Sequence, residues 1–498
     1  MRTTPAYPDP TRRFIITIAT MLASMMAVID STIASVALPF MQSSTAASSE
    51  QIMWVLTSYM IATAIAMPLS GWLANRFGRK LIMLGSLIGF TVASMLCGSA
   101  NDLASLMLAR IVQGACGAGL QPLSQAALLD INPPERHAKV LASLGLATML
   151  GPMFGPTLGG WLTDTLSWRW VFFINVPIGV LAFVGLLIFL PTSVKQRSAR
   201  FDFLGFSVLS LAVAALQLFL DRGEQLDWLN STEIVIWAML FVVGGYLTVV
   251  HTLTARNSFV RPELFKDWNF TVTCLFGAVL SVASFGTQPI QIFMLQRLMG
   301  YSALHAGTLT AVASLSSFLS VVFLAAPLRR VGLHFLLIVG MVLSGLSQIM
   351  LGNLNLYVDQ WPVVIAGLVK GAGVGLVFTI LPGVTFATLK PELRNEGAAI
   401  VALTRNLGMS AGISLMQIIA IHESALNRSR LVEGVRPDSP AVQFSMTALD
   451  FDSVDSLWRI AGEVGRQATM LGYMHTFYVG AAICFLLVPA VFLIRVRN

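Results

Sequence analysis

Fourteen apolar runs, each roughly 18 residues or more, divide this chain, and a run of that length crosses a bilayer as a helix. They begin near Phe14, Met53, Leu81, Leu103, Ala138, Arg169, Phe203, Thr232, Asn269, Ala306, Leu333, Trp361, Gly397 and Gly472. Within hydrocarbon every backbone polar group must be satisfied inside the segment, so runs this long and this apolar fold as helices. The expected fold class is an all-α membrane protein with 14 transmembrane helices. Only 11% of the residues are charged and 56% are hydrophobic, against about 25% charged in soluble domains. The first run is too long for a signal-peptide core and lacks a small-residue cleavage site, so it is expected to stay in the membrane. Cys97, Cys116, Cys274 and Cys484 all fall within apolar runs, where cysteine reads as a small packing residue. Their spacing fits neither a disulfide framework nor a metal site.

Lys and Arg placement orients the spans. With the N-terminus in the cytoplasm, 20 of the 31 cations fall in inside segments, and the short outside loops hold only Arg169, Arg222 and Arg297. Both termini are then cytoplasmic. A basic linker at Thr192–Arg200 and a polar one near Arg256–Asp267 divide the spans six, two and six. This predicts an N-terminal six-helix bundle over 1–200, two linker helices over 201–268, and a C-terminal six-helix bundle over 269–498. The last block contains one long outside loop, 422–471, whose Asp, Arg, Ser and Pro content reads as solvated; Leu457–Met470 can extend the final helix upward. The loop at 71–80 is echoed by Ala326–Gly332 at the corresponding place, as a duplicated six-helix unit requires.

The fifth run carries Gly151-Pro152-Met153-Phe154-Gly155-Pro156-Thr157-Leu158-Gly159-Gly160. Gly151, Gly155 and Gly159 are four apart, so they share a face and admit another helix backbone at close range. Pro152 and Pro156 each remove a backbone donor. A helix loosened in this way must be covered by protein rather than lipid. Glycine and proline are common in membrane helices generally, but two Gly-Pro pairs in register with a third glycine read as a packing hinge.

Away from helix ends the runs hold one carboxylate, Asp30. Asp30 lies roughly 12 Å below the outer end of the first helix, and Arg110 roughly 10 Å below the outer end of the fourth, at 1.5 Å per residue. Charges at matching depth are expected to neutralise one another, since an unpaired charge there costs several kcal/mol. Gln113 lies one turn beyond Arg110 on the same face. The pair is either a fixed structural ion pair or a proton-binding site; intramembrane ionisable groups favour the second reading. Lys370 and Arg405 are the buried cations of the second half, suited to a substrate or proton path or simply to carbonyl pairing. Met21, Met25, Met26, Phe285, Met294 and Phe378 offer adaptable apolar lining, though such residues are usually packing.

These motifs resemble those of the major facilitator superfamily. The Gly-Pro run is similar to the fifth-helix antiporter motif. Arg110-Ile111-Val112-Gln113-Gly114 resembles the fourth-helix motif tied to proton coupling, and Asp30 with Thr32 and Pro39 resembles the first-helix motif of the 14-spanning drug:proton antiporters of the QacA/EmrB type. Gly71, Asn75, Arg76, Gly78 and Arg79 resemble the general signature that gates the cytoplasmic side, with Asn75 where that signature carries an acid. Asn75 can accept hydrogen bonds at that gate but brings no charge to an electrostatic latch. The run Trp168–Gly179, Leu220-Asp221-Arg222-Gly223, Asp227-Trp228 and Arg405-Asn406-Leu407-Gly408 also look like that subgroup.

The resemblance implies two six-helix bundles plus two inserted helices, rocking about a central site in the bacterial inner membrane. It implies export of hydrophobic or amphipathic small molecules, driven by protons and without a further cofactor. A periplasmic adaptor and an outer-membrane channel are partners of some relatives. No phosphate-cradling Gly-Lys loop, metalloprotease motif or nucleophile elbow is present, so neither ATP use nor hydrolysis is expected. Nothing points to nucleic acid or to a bound metal. Two other readings stay open: export of one metabolite or toxic organic acid, and a membrane receptor or membrane-embedded enzyme.

Overall fold

Five of the helices start at a short polar cap between apolar runs. In a computed structural model, described over residues 7–192, 202–255, 258, 260–324, 332–386, 388–390, 393–435 and 453–495, Asp102, Asp202, Asp267, Ser302 and Asp359 each accept a backbone N–H in the first turn of a helix. The helices are α1 (Pro10–Thr45), α2 (Trp54–Phe77), α3 (Arg79–Ser99), α4 (Leu103–Ile131), α5 (His137–Thr165), α6 (Trp170–Phe189) and α7 (Phe203–Gly223). The remainder are α8 (Thr232–Thr254), α9 (Trp268–Leu298), α10 (Ala303–Phe323), α11 (Leu333–Gly352), α12 (Gln360–Thr385), α13 (Arg394–Gly434) and α14 (Val454–Leu493). Among the described residues 13 of these are long and apolar enough to cross a membrane, and α5, 29 residues long, is the further long helix that carries the Gly-Pro run.

The packing repeats itself. In the first half α1 packs on α5 and α6, α2 on α4, and α3 on α4 and α6. In the second half α9 packs on α13 and α14, α10 on α12, and α11 on α12 and α14. Each second-half pair is the first-half pair advanced by eight helices, as two related six-helix bundles require. The bundles meet where α5 packs on α10 and α2 on α13, which are again equivalent contacts. The inserted helices α7 and α8 pack on each other, and α7 also touches α2 and α13. Gly78 (φ 101°, ψ 134°) and Gly332 (φ 105°, ψ 144°) turn the chain into α3 and α11 with nearly the same backbone, in a region of φ that favours glycine. Residues 326–331 of the echoed loop lie outside the described residues, as do the basic linker over 193–200 and Arg256.

At the expected outer end, the Asp164 carboxylate on α5 accepts the Ala303 and Leu304 N–H groups at 3.2 and 2.7 Å, which closes α5 onto the start of α10. Arg297 of α9 donates to Pro39 O, Gln42 Oε1 and Ser43 Oγ at 3.0–3.2 Å. Outward faces are apolar: α8 alone exposes Met239, Val242, Tyr246 and Leu253, a surface suited to lipid.

One boundary differs from the expectation. The segment 422–471 is not one loop, because α13 continues to Gly434 and α14 begins at Val454. Polarity reports exposure, not the absence of helix. A Cβ on Gly472 would lie 2.6 Å from Ala420 O, and His475 pairs with Glu423 at 3.0 Å, so the two helices pack along this stretch. Residues 436–452 between them lie outside the described residues.

Candidate functional site

Asp30 of α1 and Arg110 and Gln113 of α4 are all fully buried, and the structure brings them into direct contact. Arg110 Nη1 donates to Asp30 Oδ2 at 2.6 Å and to Gln113 Oε1 at 2.8 Å, while Gln113 Nε2 donates to Asp30 Oδ1 at 2.8 Å. The matched depths of the two charges thus become a buried ion pair. Two further side chains complete the cluster. Asn175, near the start of α6, donates Nδ2 to Asp30 Oδ1 at 2.7 Å and to Ser94 Oγ of α3 at 2.9 Å. Arg110 Nε donates to Val55 O at 3.0 Å, and its guanidinium lies 4.1 Å from the Tyr59 ring centroid, so α2 supplies both a carbonyl and an aromatic face. Two buried atoms in the cluster have no partner among the described residues, Arg110 Nη2 and Asn175 Oδ1. The carboxylate therefore takes three charge-oriented donors while a donor and an acceptor stand idle beside it.

The glycine face of α5 lies on the same stretch of α1. A Cβ on Gly151 would sit 2.8 Å from Val28 Cγ1 and 3.2 Å from the Ile29 nitrogen, and one on Gly159 would sit 2.8 Å from Ile33 O. On Gly155 it would overlap Thr32 Oγ1. The opposite side meets α10, where a Cβ on Gly160 or Gly307 would strike the Ala303 or Pro156 carbonyl. Pro156 is buried and Pro152 half-buried, so neighbours cover the loosened ladder. The hinge-like run is thus clamped between Asp30's helix and the other bundle.

Gly71, Asn75 and Arg76 are exposed at the end of α2, and Arg76 stacks 5.1 Å from the Trp72 ring centroid. Gly78 makes the turn, and Arg79 pairs with Asp130 and donates to Ala126 O at 3.0 Å. Lys80 donates to Leu187 O and Leu190 O at 2.8 and 2.6 Å. All these bonds stay within the first bundle. Around them opens a cavity of about 360 Å³ lined by Asn75, Arg79, Lys80, Asp130 and Thr192.

Lys370 and Arg405 are half-buried on α12 and α13, and the structure does not bring either to a carboxylate. Among the described residues neither has a hydrogen-bond or ion-pair partner, and Arg405 Nε is buried without one. Of the apolar lining candidates, Met26 and Met294 are fully buried core residues, whereas Phe285 and Phe378 are half-buried and meet edge to face at 5.9 Å.

Residues 20–413 match the Major Facilitator Superfamily. The chain belongs to that superfamily. It is 32% identical over 487 residues to the multidrug export protein EmrB of Escherichia coli K12, covering 96% of this chain and 94% of EmrB. The fatty acid resistance protein FarB of Neisseria gonorrhoeae is 29% identical, with 96% of each chain covered. An auto-inhibited POT family peptide transporter shares the fold at a TM-score of 0.66 and 15% identity, over 98% of each chain. Membership in this transporter superfamily agrees with the paired bundles, the inserted helices and the multi-pass membrane architecture.

Two polar groups of this superfamily member have roles that their places in the sequence do not announce. Asn175 sits within the run Trp168–Gly179, where an amide between Ile174 and Val176 in an otherwise apolar stretch is the one sign of a role. Asp221, two residues before the end of α7, lies outside the expectation that Asp30 is the one carboxylate away from helix ends. Asp221 is close to the end of α7 in sequence, yet Thr57 Oγ1 of α2 donates to it at 3.0 Å, Gln217 Nε2 at 2.8 Å, and Ser414 Oγ of α13 also donates to it. Thr57 of α2 and Ser414 of α13 thus meet at that end of α7, which a span-by-span reading cannot anticipate.

Proposed function

We propose that this protein is a proton-driven exporter of hydrophobic or amphipathic compounds, working by alternating access in a bacterial cytoplasmic membrane with both termini inside. The carrying observation is the fully buried cluster of Asp30, Arg110, Gln113 and Asn175, set against the glycine face that joins the bundles. A proton on Asp30 cancels its attraction for Arg110 Nη1 and turns one carboxyl oxygen into a donor. The idle Asn175 Oδ1 is an acceptor within the cluster for that donor, and Arg110 is released toward other partners. Because α1 also bears on Gly151, Gly155 and Gly159, a shift of the cluster is transmitted to the α5–α10 contact. Protons are then the coupling ion and no other cofactor is needed.

In this reading 1–200 and 269–498 are the rocking bodies and 201–268 accompanies them. Gly71, Asn75, Arg76, Gly78 and Arg79 form the cytoplasmic rim, where Asn75 offers a neutral amide in place of a charge. The relation to EmrB supports small-molecule export. A periplasmic adaptor and outer-membrane channel would engage the polar extension of α13 and α14. A second reading, export of an amphipathic acid, is favoured by the unpartnered Lys370 and Arg405 and by the likeness to FarB.

The deciding experiment is transport by the full chain in proteoliposomes under an imposed pH gradient, with ethidium and oleate as probes. Asp30→Asn should abolish gradient-driven movement of either probe. Full gradient-driven transport in that variant would remove the mechanism.

A further inference from the structure

The Asp221 carboxylate lies where three structural blocks meet: its own α7 of the inserted pair, α2 of the first bundle through Thr57, and α13 of the second bundle through Ser414. All three side-chain partners are neutral, and all three are nearly or wholly buried: Thr57 is 0% exposed, Ser414 4% and Gln217 6%. Gln217 also donates to Ser414 Oγ at 2.8 Å, so the four side chains form one network.

That network can hold either protonation state. With Asp221 ionised, Oδ1 accepts from Gln217 and Ser414 and Oδ2 accepts from Thr57. With a proton added to Oδ2, that oxygen donates to Thr57 Oγ1, whose own hydroxyl hydrogen turns to a carbonyl one helical turn back. Gln217 and Ser414 keep their acceptor. One proton is bound and no other atom is exchanged.

The network is also reachable. A cavity of about 20 Å³ beside Asp221 is lined by Glu50, Trp54, Glu224, Gln225 and Gln417, room for about one water by the usual minimum of 10–15 Å³. It faces the expected outer end, where Gln225 is exposed. The charged and titratable groups around it are Glu50 from the turn before α2, Glu224 on α7, and His422 on α13, which lies 3.8 Å from Glu224. Arg222, the next residue on α7, is engaged by Glu233 of α8. Two acids at the mouth with one neighbouring histidine form a local negative field that concentrates protons.

We infer that Asp221 is a second proton-binding site, entered from the outer face, whose occupancy sets how firmly α7 ties α2 to α13. This rests on the proton-coupled reading but concerns a different carboxylate, on different helices, from Asp30. When ionised, Asp221 holds donors from both bundles at once. When protonated, it keeps Ser414 as a donor but engages Thr57 by a weaker, neutral bond, so the outer α2–α13 contact loosens as protons arrive. The inserted pair thereby acts as a strap across the outer opening.

The test is infrared difference spectroscopy of the full chain in lipid between alkaline and acid pH, read in the carboxylic-acid C=O stretching region, alongside the proteoliposome assay. Wild type should show two interior carboxyl components. Asp221→Asn should remove one and Asp30→Asn the other. Thr57→Val and Ser414→Ala, which keep the carboxyl, should move the pH at which the Asp221 component appears and leave the Asp30 component in place. Gradient-driven transport should fall in Asp221→Asn while probe exchange without a gradient persists. If the spectrum of Asp221→Asn matches wild type, or if Thr57→Val and Ser414→Ala move neither component, the site is not a proton site. Undiminished driven transport in Asp30→Asn, with the Asp221 component intact, would instead overturn the coupling reading and leave this site standing.

Discussion

The two bundles share a scaffold and differ in what they bury at equivalent points. Ser94 and Gln348 stand the same 16 residues beyond Gly78 and Gly332. In the first bundle Ser94 belongs to a cluster containing a carboxylate and a guanidinium, both fully buried. In the second, Gln348 Nε2 donates to Thr287 Oγ1 of α9 at 2.9 Å and to Ala283 O at 3.2 Å, and among the described residues no ion pair joins them. Close helix packing is common to both: Gly408 and Gly412 of α13 abut Ala278 and Val282 of α9 much as Gly151 and Gly155 abut α1. The packing is thus shared by the two halves, while among the described residues the fully buried ion pair stands in the first alone. A buried ion pair is a poor source of stability, so its presence on one side alone points to work done there.

Removing one partner of the charged cluster should have the largest effect. Arg110→Met leaves Asp30 buried without its cation and should lower stability by roughly 3–5 kcal/mol. Gln348→Leu removes only neutral hydrogen bonds and should lower it by about 0.6–1.7 kcal/mol. Equilibrium unfolding in mixed micelles measures both, and equal losses would erase the contrast between the bundles.

The next test concerns the shared packing. Gly155→Val places a side chain into Thr32, next to Asp30's stretch of α1, and Gly412→Val places one against Val282. Both should lower stability by about 1–3 kcal/mol through overpacking. Gly155→Val should in addition uncouple transport from the pH gradient, because it displaces the helix that carries the acid. If Gly412→Val uncouples equally well, the glycine faces do not differ in role.

How much of this could be read from the chain depends on which coordinate a residue reports. Depth along a span follows from counting at fixed rise, so Asp30 and Arg110 were paired by depth alone. Four-residue spacing gives direction around a helix, which made the Gly151 face legible, though not that α1 was its partner. Which helices surround a given face is a tertiary fact, so neither the partners of Asp221 nor those of Asn175 can be read along a single span. Asp164 gave no signal either: an exposed acid at a helix end looks like a cap for its own helix, not for α10. The polar stretch after Ile421 was misjudged for a related reason, since its composition shows contact with water and says little about backbone conformation.

Lys370 and Arg405 test the comparison through cargo rather than stability. Neither neutralises a carboxylate, so Lys370→Met should hold stability level or raise it slightly. The same change should reduce export of oleate more than export of ethidium, measured in one vesicle preparation. Equal reduction of both would assign Lys370 to packing or to the proton path.

The smallest effect separates the caps of the equivalent helices α4 and α12, outside the membrane-spanning stretches. Asp102 accepts the Ser105 N–H and hydroxyl at 2.9 Å each, and these bonds, the backbone one first, hold its carboxyl below the ordinary 3.8. Among the described residues Asp359 accepts only the N–H of the next residue, at 2.7 Å. A depressed carboxyl contributes stability that is fully present above its unfolded value and is lost as pH falls through its lower folded value. Asp102→Ala should therefore lower the thermal midpoint at neutral pH, with the gap from wild type shrinking below pH 3.8. Asp359→Ala should give a smaller gap at neutral pH, because one hydrogen bond is lost instead of two. Melting curves of the three proteins at matched salt decide the matter: parallel shifts at every pH would show that the Asp102 cap acts through shape alone and that its charge adds nothing to the start of α4.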